Sequence, residues 1–254
     1  MVGLKAKNMG KMKLALLGYG KMGKEIENIA LQRGHTVVLK VNDQNLHELT
    51  DANLKKADAA IEFSTPETAV NNILKCFNVN VPIVVGTTGW LEKWDEITNQ
   101  CKIKDQTLFY ASNYSLGVNL FFTLNKYLAK MMNNYSTSYD ADITEIHHIH
   151  KKDKPSGTGI TLAKELIEYF HTKRQWVNEP SQNKTDLLIN SIRTDEVPGT
   201  HTVRYFSDID DIEIKHIAHN RIGFALGAVM AAEWVRDKKG VLGMEEMLAD
   251  SLIG

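Results

Sequence analysis

A segment rich in histidine and lysine carries the residue types in this chain that are best suited to proton transfer and anion binding. Positions 147 to 154 hold three histidines and three lysines against one aspartate. Histidine titrates near neutral pH and is the usual proton donor there, while lysine can hold a carboxylate or a developing negative charge. His147 and Lys151 are four residues apart, so we expect their side chains to share one face of the element that carries them.

A helix is predicted directly after this segment. The run Pro155-Ser156-Gly157-Thr158-Gly159 precedes apolar residues at helical spacing in Ile160–His171. Free N–H groups at a helix start, next to cationic side chains, suit a bound carboxylate. Two alternatives stay open for the segment. One is a solvated run of charges with structural histidines, and the other is a metal site, although the histidines lack partners at a recognisable metal-ligand spacing.

A glycine pattern near the amino-terminal end predicts a dinucleotide site. Gly18, Gly20 and Gly23 form G-x-G-x-x-G after the apolar run Leu14–Leu17, and Asp43 follows 20 positions after the last glycine. In dinucleotide-binding folds the glycines allow a tight turn, the approach of the pyrophosphate and close packing of the helix on the strand. The helix start binds phosphate, and the acidic residue binds the ribose. A glycine-rich turn that binds no ligand is the alternative.

The residues near Asp43 bear on the choice of cofactor. A carboxylate there accepts hydrogen bonds from the ribose hydroxyl of NADH and repels the 2′-phosphate of NADPH. Gln44 and Asn45 supply no arginine to offset this repulsion. Lys40 and Lys21 keep NADPH open as the alternative, so the sequence favours NADH without excluding NADPH.

Predicted strands and helices alternate up to about Ser115, and the rhythm then changes. The alternation predicts a parallel sheet with right-handed crossovers, whereas the later segments are spaced like antiparallel or mixed strands. The expected fold class is α/β, with a dinucleotide-binding domain at residues 13–115 and 222–254 and a smaller α+β domain with a mixed sheet at residues 116–221. The predicted strands are Leu14–Leu17, Thr36–Val41, Ala57–Phe63, Val81–Val85, Gln106–Ala111, Ala141–His150, Leu187–Arg193, His201–Phe206 and Ile212–Ala218. The predicted helices include Pro66–Phe77, Gly117–Met132, Ile160–His171 and Gly223–Val235.

Composition limits the class of protein. The 254 residues include 30 Lys and Arg against 31 Asp and Glu, a net charge of −1 that argues against a nucleic-acid binder. Cys76 and Cys101 have no metal-ligand spacing, so we expect reduced thiols and a cytoplasmic protein. No apolar run approaches the length of a membrane span, so no membrane partner is expected. The residues before Lys13 are expected to form a disordered lead-in outside the fold.

Two further segments lie where such folds bind ligands. Gly86-Thr87-Thr88-Gly89 follows a predicted strand, and Ser112–Asn119 spans the predicted boundary between the first and the second domain. Ligands bind at the carboxyl ends of parallel strands and in crevices between domains, so we expect both segments to line a site. Simple connecting turns are the alternative for both.

Through these motifs and the segment from Glu145 to Thr158, nearly the whole chain resembles the bacterial 4-hydroxy-tetrahydrodipicolinate reductases, also called dihydrodipicolinate reductases. The family pattern E-x-H-H-x-x-K-x-D-x-P-S-G-T is matched with Glu145, Asp153 and Pro155 in register. The chain departs from the family in a glycine loop that is one residue shorter, with Lys21 in place of an arginine, and in Gln44, where some members carry arginine. Both differences concern the preference for NADPH and not the reaction.

The resemblance implies roles for individual residues. His147 is implied as the proton donor and Lys151 as a second catalytic residue, while His148, Gly157 and Thr158 are implied to hold a substrate dicarboxylate. No metal ligand is implied. Together with the glycine pattern, the implied cofactor contacts are Gly18, Tyr19, Gly20, Lys21, Met22, Gly23, Asp43, Gly86, Thr87, Thr88, Ser112, Asn113, Tyr114 and Ser115.

The resemblance also implies a reaction and an architecture. The reaction is the reduction of 4-hydroxy-tetrahydrodipicolinate to tetrahydrodipicolinate in lysine and diaminopimelate biosynthesis, with hydride from NADH or NADPH added at C4 and water lost. The architecture is a Rossmann-type domain plus a mixed-sheet domain that binds the cyclic imine dicarboxylate and builds a homotetramer. Alternatives are another two-domain NAD(P)-dependent oxidoreductase and an inactive dinucleotide-binding relative. Neither Cys76 nor Cys101 lies on a predicted catalytic turn, which argues against a semialdehyde dehydrogenase.

Overall fold

A computed structural model of the chain describes residues 10–220 and 222–252. They form two compact units: the first holds the described residues up to Leu116 and from Ile222 onward, and the second holds those in between. Most of the predicted lead-in before Lys13 lies outside the described residues, but Met12 is buried, and its N–H donates to His35 Nδ1 at 3.2 Å. No helix in the described part of the chain combines the length and the apolar character that a membrane crossing requires.

The first unit is built on one parallel sheet. Its strands are β1 (Lys13–Leu17), β2 (Thr36–Val41), β3 (Ala59–Glu62), β4 (Ile83–Val85), β5 (Thr107–Tyr110) and β11 (Gly240–Leu242). Its helices are α1 (Lys21–Gln32), α2 (Asp51–Leu54), α3 (Pro66–Asn78), α4 (Trp94–Ile103), α7 (Ile222–Val235) and α8 (Met244–Leu252). The strand order is β2-β1-β3-β4-β5-β11, so the chain first adds β2 on one side of β1 and then crosses to add β3 on the other.

Helices cover both faces of this sheet because its strands are apolar on both sides. In β1, Leu14 and Leu16 belong to the core that contains α1 and α7, whereas Ala15 and Leu17 belong to the core that contains α3 and α4. A continuous apolar run of this kind is typical of a parallel strand buried on both faces. The arrangement is a doubly wound fold, in which ligands bind beyond the carboxyl ends of the strands where the strand order reverses.

The second unit has a mixed sheet. Its strands are β6 (Asp140–His147), β7 (Gln175–Val177), β8 (Asp186–Arg193), β9 (Gly199–Phe206) and β10 (Asp211–Ala218), and its helices are α5 (Leu116–Asn133) and α6 (Gly157–Tyr169). The order is β10-β9-β6-β8-β7, with β8 parallel to β6 and β7 and with β9 antiparallel to β6 and β10. One sheet face packs on α5 and α6 through Ala141, Ile143, Leu187, Ile189, Val203 and Tyr205.

The predicted fold class is confirmed, with one parallel and one mixed sheet, but some bounds were wrong. The strand expected to reach His150 ends at His147, since the chain turns there and Lys151 N donates to His148 O at 3.1 Å. The following helix begins at Gly157 rather than at Ile160. The short strands β7 and β11 were not predicted. Both cysteines are free and buried, as expected for small core residues.

Candidate functional site

The glycine loop closes tightly between β1 and α1. Gly18 has a φ of +99°, and a Cβ there would lie 2.0 Å from Phe63 O, so a side chain at this position is excluded. A Cβ on Gly23 would lie 2.5 Å from Gly18 O. Gly20 is the N-cap of α1, with no side-chain cap and with nothing within 4 Å of its Cβ position. The backbone at the helix start is therefore open to a ligand, which fits a bound pyrophosphate.

Other predicted cofactor contacts follow the carboxyl ends of β2, β4 and β5, at the same edge of the sheet. Asp43, Thr88 and Ser112 are exposed there. Thr87 is buried instead, and its hydroxyl oxygen accepts a hydrogen bond from Ser64 N at 2.8 Å. The structure thus brings these predicted residues to the edge at which a doubly wound sheet binds its ligand.

Tyr19, Glu27 and Lys40 form a cluster beside the glycine loop. The Tyr19 hydroxyl donates to Glu27 Oε2, and this hydrogen bond raises the pKa of the phenol. Lys40 Nζ lies 3.3 Å from Glu27 Oε1 and 5.1 Å from the centre of the Tyr19 ring. Glu27 therefore offsets part of the positive charge of Lys40 beside the glycine loop. Of the two other loop residues predicted to contact the cofactor, Lys21 is exposed, and Met22 packs against the core.

The Ser112–Ser115 segment divides into exposed and buried residues. Tyr114 is 1% exposed, and its hydroxyl donates to Val85 O at 2.7 Å, so its side chain belongs to the core. Asn113 Oδ1 accepts from Ser115 N at 2.9 Å and shapes the turn. A cofactor contact at Tyr114 could use only the backbone. The role of this segment in cofactor binding stays a prediction.

Sequence reasoning missed a buried carboxylate at the end of β3. Glu62 Oε1 accepts hydrogen bonds from Ser64 N at 3.1 Å and from Asn72 Nδ2 at 3.4 Å, while Oε2 is buried without a hydrogen-bond partner among the described residues. Burial raises the pKa of Glu62. Ser64 N also contacts Thr87, so Glu62 helps to fix the loops after β3 and β4. An acidic residue closing the apolar strand Ala59–Ile61 was the signal for it.

The second site is built on β6, the central strand of the mixed sheet. Its buried positions alternate as Ala141, Ile143, Glu145 and His147. Glu145 lies opposite His201 on β9 and Ser191 on β8, and His147 lies opposite Arg193 on β8. Strand pairing therefore collects polar side chains at one end of a face that is otherwise apolar.

Glu145 is fully buried, and its carboxylate accepts hydrogen bonds from the backbone and side chain of Ser156 and from the side chain of Arg193. Ser156 N lies 3.0 Å from each carboxylate oxygen, and the Ser156 hydroxyl donates to Oε2. Arg193 Nη2 donates to Oε1 at 3.0 Å. Burial by itself would raise the pKa of Glu145, but the hydrogen bonds from Ser156 and Arg193 outweigh it and leave the pKa lowered. The group is thus a stable carboxylate inside the unit.

His147 lies near this carboxylate and near a second histidine, His201. Its Nδ1 is 3.9 Å from Glu145 Oε1, too far for a hydrogen bond, and the His147 and His201 rings are 5.0 Å apart. Burial lowers the pKa of His147 and outweighs the attraction of Glu145 for a proton. Burial likewise lowers the pKa of His201, to about 4. Both rings are therefore neutral at pH 7 in the absence of bound substrate.

Lys151 lies in the loop between β6 and α6 and not on the strand. The expectation that His147 and Lys151 share a face of one element was wrong, because β6 ends at His147. Lys151 Nζ binds Asp153 Oδ2 at 2.8 Å. Lys151 still acts electrostatically on His147, because its charge contributes to the lowered pKa of the ring.

The predicted substrate contacts lie after the end of β6 and at the start of α6. His148 follows β6, and its Nδ1 is buried without a hydrogen-bond partner among the described residues. Ser156 caps the helix by accepting from Gly159 N at 3.1 Å. Gly157 is the first helical residue and has nothing within 4 Å of its Cβ position, and Thr158 follows it. This helix start can bind a carboxylate through its backbone N–H groups.

Glu145, His147 and His201 are also side-chain types that can bind a metal ion, and their candidate ligand atoms lie within 4.8 Å of one another. However, both Glu145 oxygens are engaged, one by Ser156 and one by the positive charge of Arg193. We therefore interpret the three residues as an acid–base cluster.

Sequence reasoning also missed Arg193 and His201, and it included Glu145 and Ser156 only as parts of the family pattern and of the run that opens α6. The signal that could have identified them is the two-residue period of a strand, which shows which residues share a face with the core. His201 falls on the same face as the core residues Val203 and Tyr205. A charged or titratable residue at a core position must find partners, and here these residues are partners of each other.

The fold and these two sites define the class of protein: an oxidoreductase that uses a nicotinamide dinucleotide. Two family models match the chain, the dihydrodipicolinate reductase amino-terminal model over residues 12–114 and the carboxyl-terminal model over residues 117–248. The chain belongs to the dihydrodipicolinate reductase family.

Individual relatives support this assignment. A 4-hydroxy-tetrahydrodipicolinate reductase of Christiangramia forsetii is 47% identical over 240 residues, which cover 94% of this chain and 98% of the relative. That of Thermosipho africanus is 32% identical over 244 residues, which cover 95% of this chain and 100% of the relative. The structure of a dipicolinate-bound dihydrodipicolinate reductase from Paenisporosarcina shares the fold, with a TM-score of 0.75 and 20% identity over 92% of this chain and 98% of that chain.

Proposed function

We propose that this chain reduces 4-hydroxy-tetrahydrodipicolinate, with the first unit binding the nicotinamide cofactor and the second binding the substrate. The observation that carries the proposal for the second unit is the placement of His147 and the start of α6 around one carboxylate, Glu145. The same residue, Ser156, caps the helix and binds Glu145. An anion site and a proton donor are thereby built on one framework.

The substrate is held by its negative charges. One carboxylate fits the backbone N–H groups of Gly157 and Thr158 at the start of α6. We expect His148, which follows β6, to bind the same dicarboxylate. Lys151 supplies a positive charge in the same loop. When bound, the reduced nicotinamide supplies a hydride to C4 of the substrate, from which the 4-hydroxyl is lost as water. Lys151 stabilises the negative charge that develops as the hydride arrives, and His147 delivers the balancing proton directly or through water.

Substrate binding prepares His147 for this role. The ring is neutral at pH 7 because burial lowers its pKa. A bound dicarboxylate adds negative charge near the ring and raises its pKa, so His147 takes up a proton with the substrate. Glu145, at 3.9 Å, supports the protonated form. His147 therefore does not have to be protonated before the substrate binds.

The cofactor is NADH in preference to NADPH. Asp43 follows β2 at the ribose position and is exposed. The nearby Lys40 is paired with Glu27, which leaves less positive charge for a 2′-phosphate. Both observations support a ribose hydroxyl at this site.

We also propose a homotetramer assembled through the mixed sheet. The sheet face opposite α5 and α6 carries a row of apolar residues, Ile146, Ile192 and Ile217, aligned by strand pairing through Thr200. Ile192 and Ile217 are 38% and 49% exposed. An apolar row on an open sheet face suits association with other copies.

The two cysteines bear on the cellular compartment. Both are free and buried, which is consistent with a reducing cytoplasm.

The direct test is a coupled assay, since the substrate is unstable. An upstream synthase generates 4-hydroxy-tetrahydrodipicolinate in situ, and loss of the reduced nicotinamide absorbance is followed with NADH and with NADPH. We expect turnover with both and a higher kcat/KM with NADH. If the chain turns over the substrate with neither NADH nor NADPH, the proposed function is refuted. Sedimentation of the purified chain tests the tetramer.

A further inference from the structure

The side chain of Arg193 links the acid–base cluster to the loop that carries Lys151. It extends from the end of β8, opposite His147, and is 14% exposed. Its Nη2 donates to Glu145 Oε1 at 3.0 Å and to Asp153 O at 2.5 Å. Its Nε donates to Lys151 O at 3.4 Å, and Nη1 donates to Ile192 O at 2.9 Å. One guanidinium thus binds a buried carboxylate and two carbonyls of the loop.

Arg193 and His147 face the same oxygen. Glu145 Oε1 is 3.0 Å from Arg193 Nη2 and 3.9 Å from His147 Nδ1. His147 Nδ1 is buried and has no hydrogen-bond partner among the described residues. If the guanidinium were absent, this oxygen would be free to accept a hydrogen bond from the protonated ring and would hold the proton on it. The arginine therefore keeps the carboxylate from over-stabilising the protonated ring that must give up its proton.

We infer that Arg193 is a positioning residue for the reduction: it occupies the Glu145 oxygen that faces His147 and fixes the loop that carries Lys151. The inference rests on the proposed function for its catalytic meaning. Its two parts are separable. The first concerns the proton affinity of His147, and the second concerns the position of Lys151 and hence substrate binding. An arginine is suited to both because its planar fork can bond to several acceptors at once.

The electrostatic surroundings of His147 give the first part a direction. The charged and titratable groups that face the ring include Glu145 on its own strand, His201 on β9, Arg193 on β8, and Lys151 and Asp153 in the loop. Arg193, Lys151 and His201 disfavour the protonated ring, and Glu145 and Asp153 favour it. Removing the charge of Arg193 and freeing Glu145 act in the same direction, so His147 would hold a proton up to a higher pH.

The test is an NMR titration of the histidines in the full chain, with the His147 signal assigned by its loss in H147Q, together with kcat and KM from the coupled assay. In R193Q we expect the His147 titration to move up by about one pH unit. We also expect KM for the substrate to rise and kcat/KM to fall about tenfold or more. R193K keeps a positive charge near Glu145 but cannot reach all three acceptors. It should titrate close to the wild type and still show the raised KM.

The matched control is R33Q. Arg33 also binds a buried glutamate through its fork, since Nε and Nη2 lie 2.7 and 2.8 Å from the two Glu233 oxygens in the first unit. Its loss should lower stability in urea without moving the His147 titration or the substrate KM. A general loosening of the fold would therefore appear equally in R33Q.

Several outcomes would overturn the inference. One is an unchanged His147 titration in R193Q, even if the activity falls, and another is an unchanged substrate KM in both Arg193 variants. If R193Q does not fold, E145Q/R193Q removes both charges of the pair. In it the titration should no longer move upward, and an upward shift would contradict the role of Glu145. Because the titration needs no turnover, it decides the inference even if the wild type fails to reduce the substrate.

Discussion

Ser156 and Glu145 are joined by both the backbone and the side chain of the serine. Ser156 N lies 3.0 Å from each Glu145 oxygen, and the hydroxyl donates to Oε2 while it accepts from Gly159 N at 3.1 Å. The residue that caps α6 is therefore also the residue that anchors the buried carboxylate. Any change at Ser156 should therefore affect the start of α6 and the acid–base cluster together.

Replacement of this serine should show the double role. S156A removes a helix cap and a hydrogen bond to a buried carboxylate, and we expect it to lower the free energy of unfolding by about 2 kcal/mol. KM for the substrate should rise as the first turn of α6 loosens. Urea unfolding and the coupled assay measure these two effects.

T50A is the control for loss of a cap alone. Thr50 caps the short helix α2 in the first unit by accepting from Asn53 N at 3.2 Å. We expect a smaller loss of stability and no change in substrate KM. A wild-type substrate KM in S156A would show that the helix start does not bind the substrate.

Loss of the proposed proton donor, His147, should act mainly on kcat. H147Q keeps a polar side chain of similar length but cannot deliver a proton, so we expect kcat to fall about 10²–10⁴-fold with little change in KM.

Loss of Lys151 should give a different pattern. K151A should lower both kcat and substrate affinity, since a cation that binds an anion also stabilises the developing charge. Steady-state kinetics separate the two patterns. A kcat near the wild-type value in H147Q would remove His147 from the reaction.

The fold of the first unit could be predicted because its signals are local. The apolar run Leu14–Leu17, the glycine loop and the acidic residue Asp43 lie within one strand–helix–strand unit, so spacing along the chain is enough to relate them. Gly18 illustrates the agreement. Its positive φ and the contact that a Cβ would make with Phe63 O are the constraints that the pattern implies.

The acid–base cluster could be predicted only in part, because it depends on which strands pair. Glu145 and His201 are 56 positions apart, yet antiparallel pairing of β6 and β9 places them opposite each other. Nothing in the local sequence around Arg193 identifies β8 as a neighbour of β6. The end of β6 was also missed, because the histidine and lysine run that follows it has no signal that stops a strand. Strand pairing and the turn at His148 decide both points.

His201 should make the stability of the protein depend on pH. Burial lowers its pKa to about 4 in the fold, against about 6.5 in an unfolded chain. Between these values the unfolded state binds more protons, so stability falls as the pH is lowered. This histidine alone should lower the free energy of unfolding by about 2 kcal/mol when the pH falls from 7 to 5.

The matching experiment is urea unfolding of the wild type and H201Q at these two pH values. The glutamine can still bond to Ser156 but takes up no proton, so the difference between the two pH values should shrink. H171Q, which changes an exposed histidine in the same unit, serves as the control and should retain the wild-type dependence. An H201Q variant that loses as much stability between pH 7 and pH 5 as the wild type would show that folding does not lower the pKa of His201.

Asp43 should determine the preference for NADH. A hydrogen bond from a ribose hydroxyl to a carboxylate contributes about 1.5–3 kcal/mol, so D43S should raise KM for NADH about tenfold or more. KM for NADPH should stay level or fall, because the repulsion of the 2′-phosphate is lost. Both are measured in the coupled assay. D208N, which removes an exposed carboxylate from the second unit, should change neither value. If KM for NADH is the same in D43S as in the wild type, the ribose does not bind at Asp43, and the preference must come from the cluster around Glu27 and Lys40.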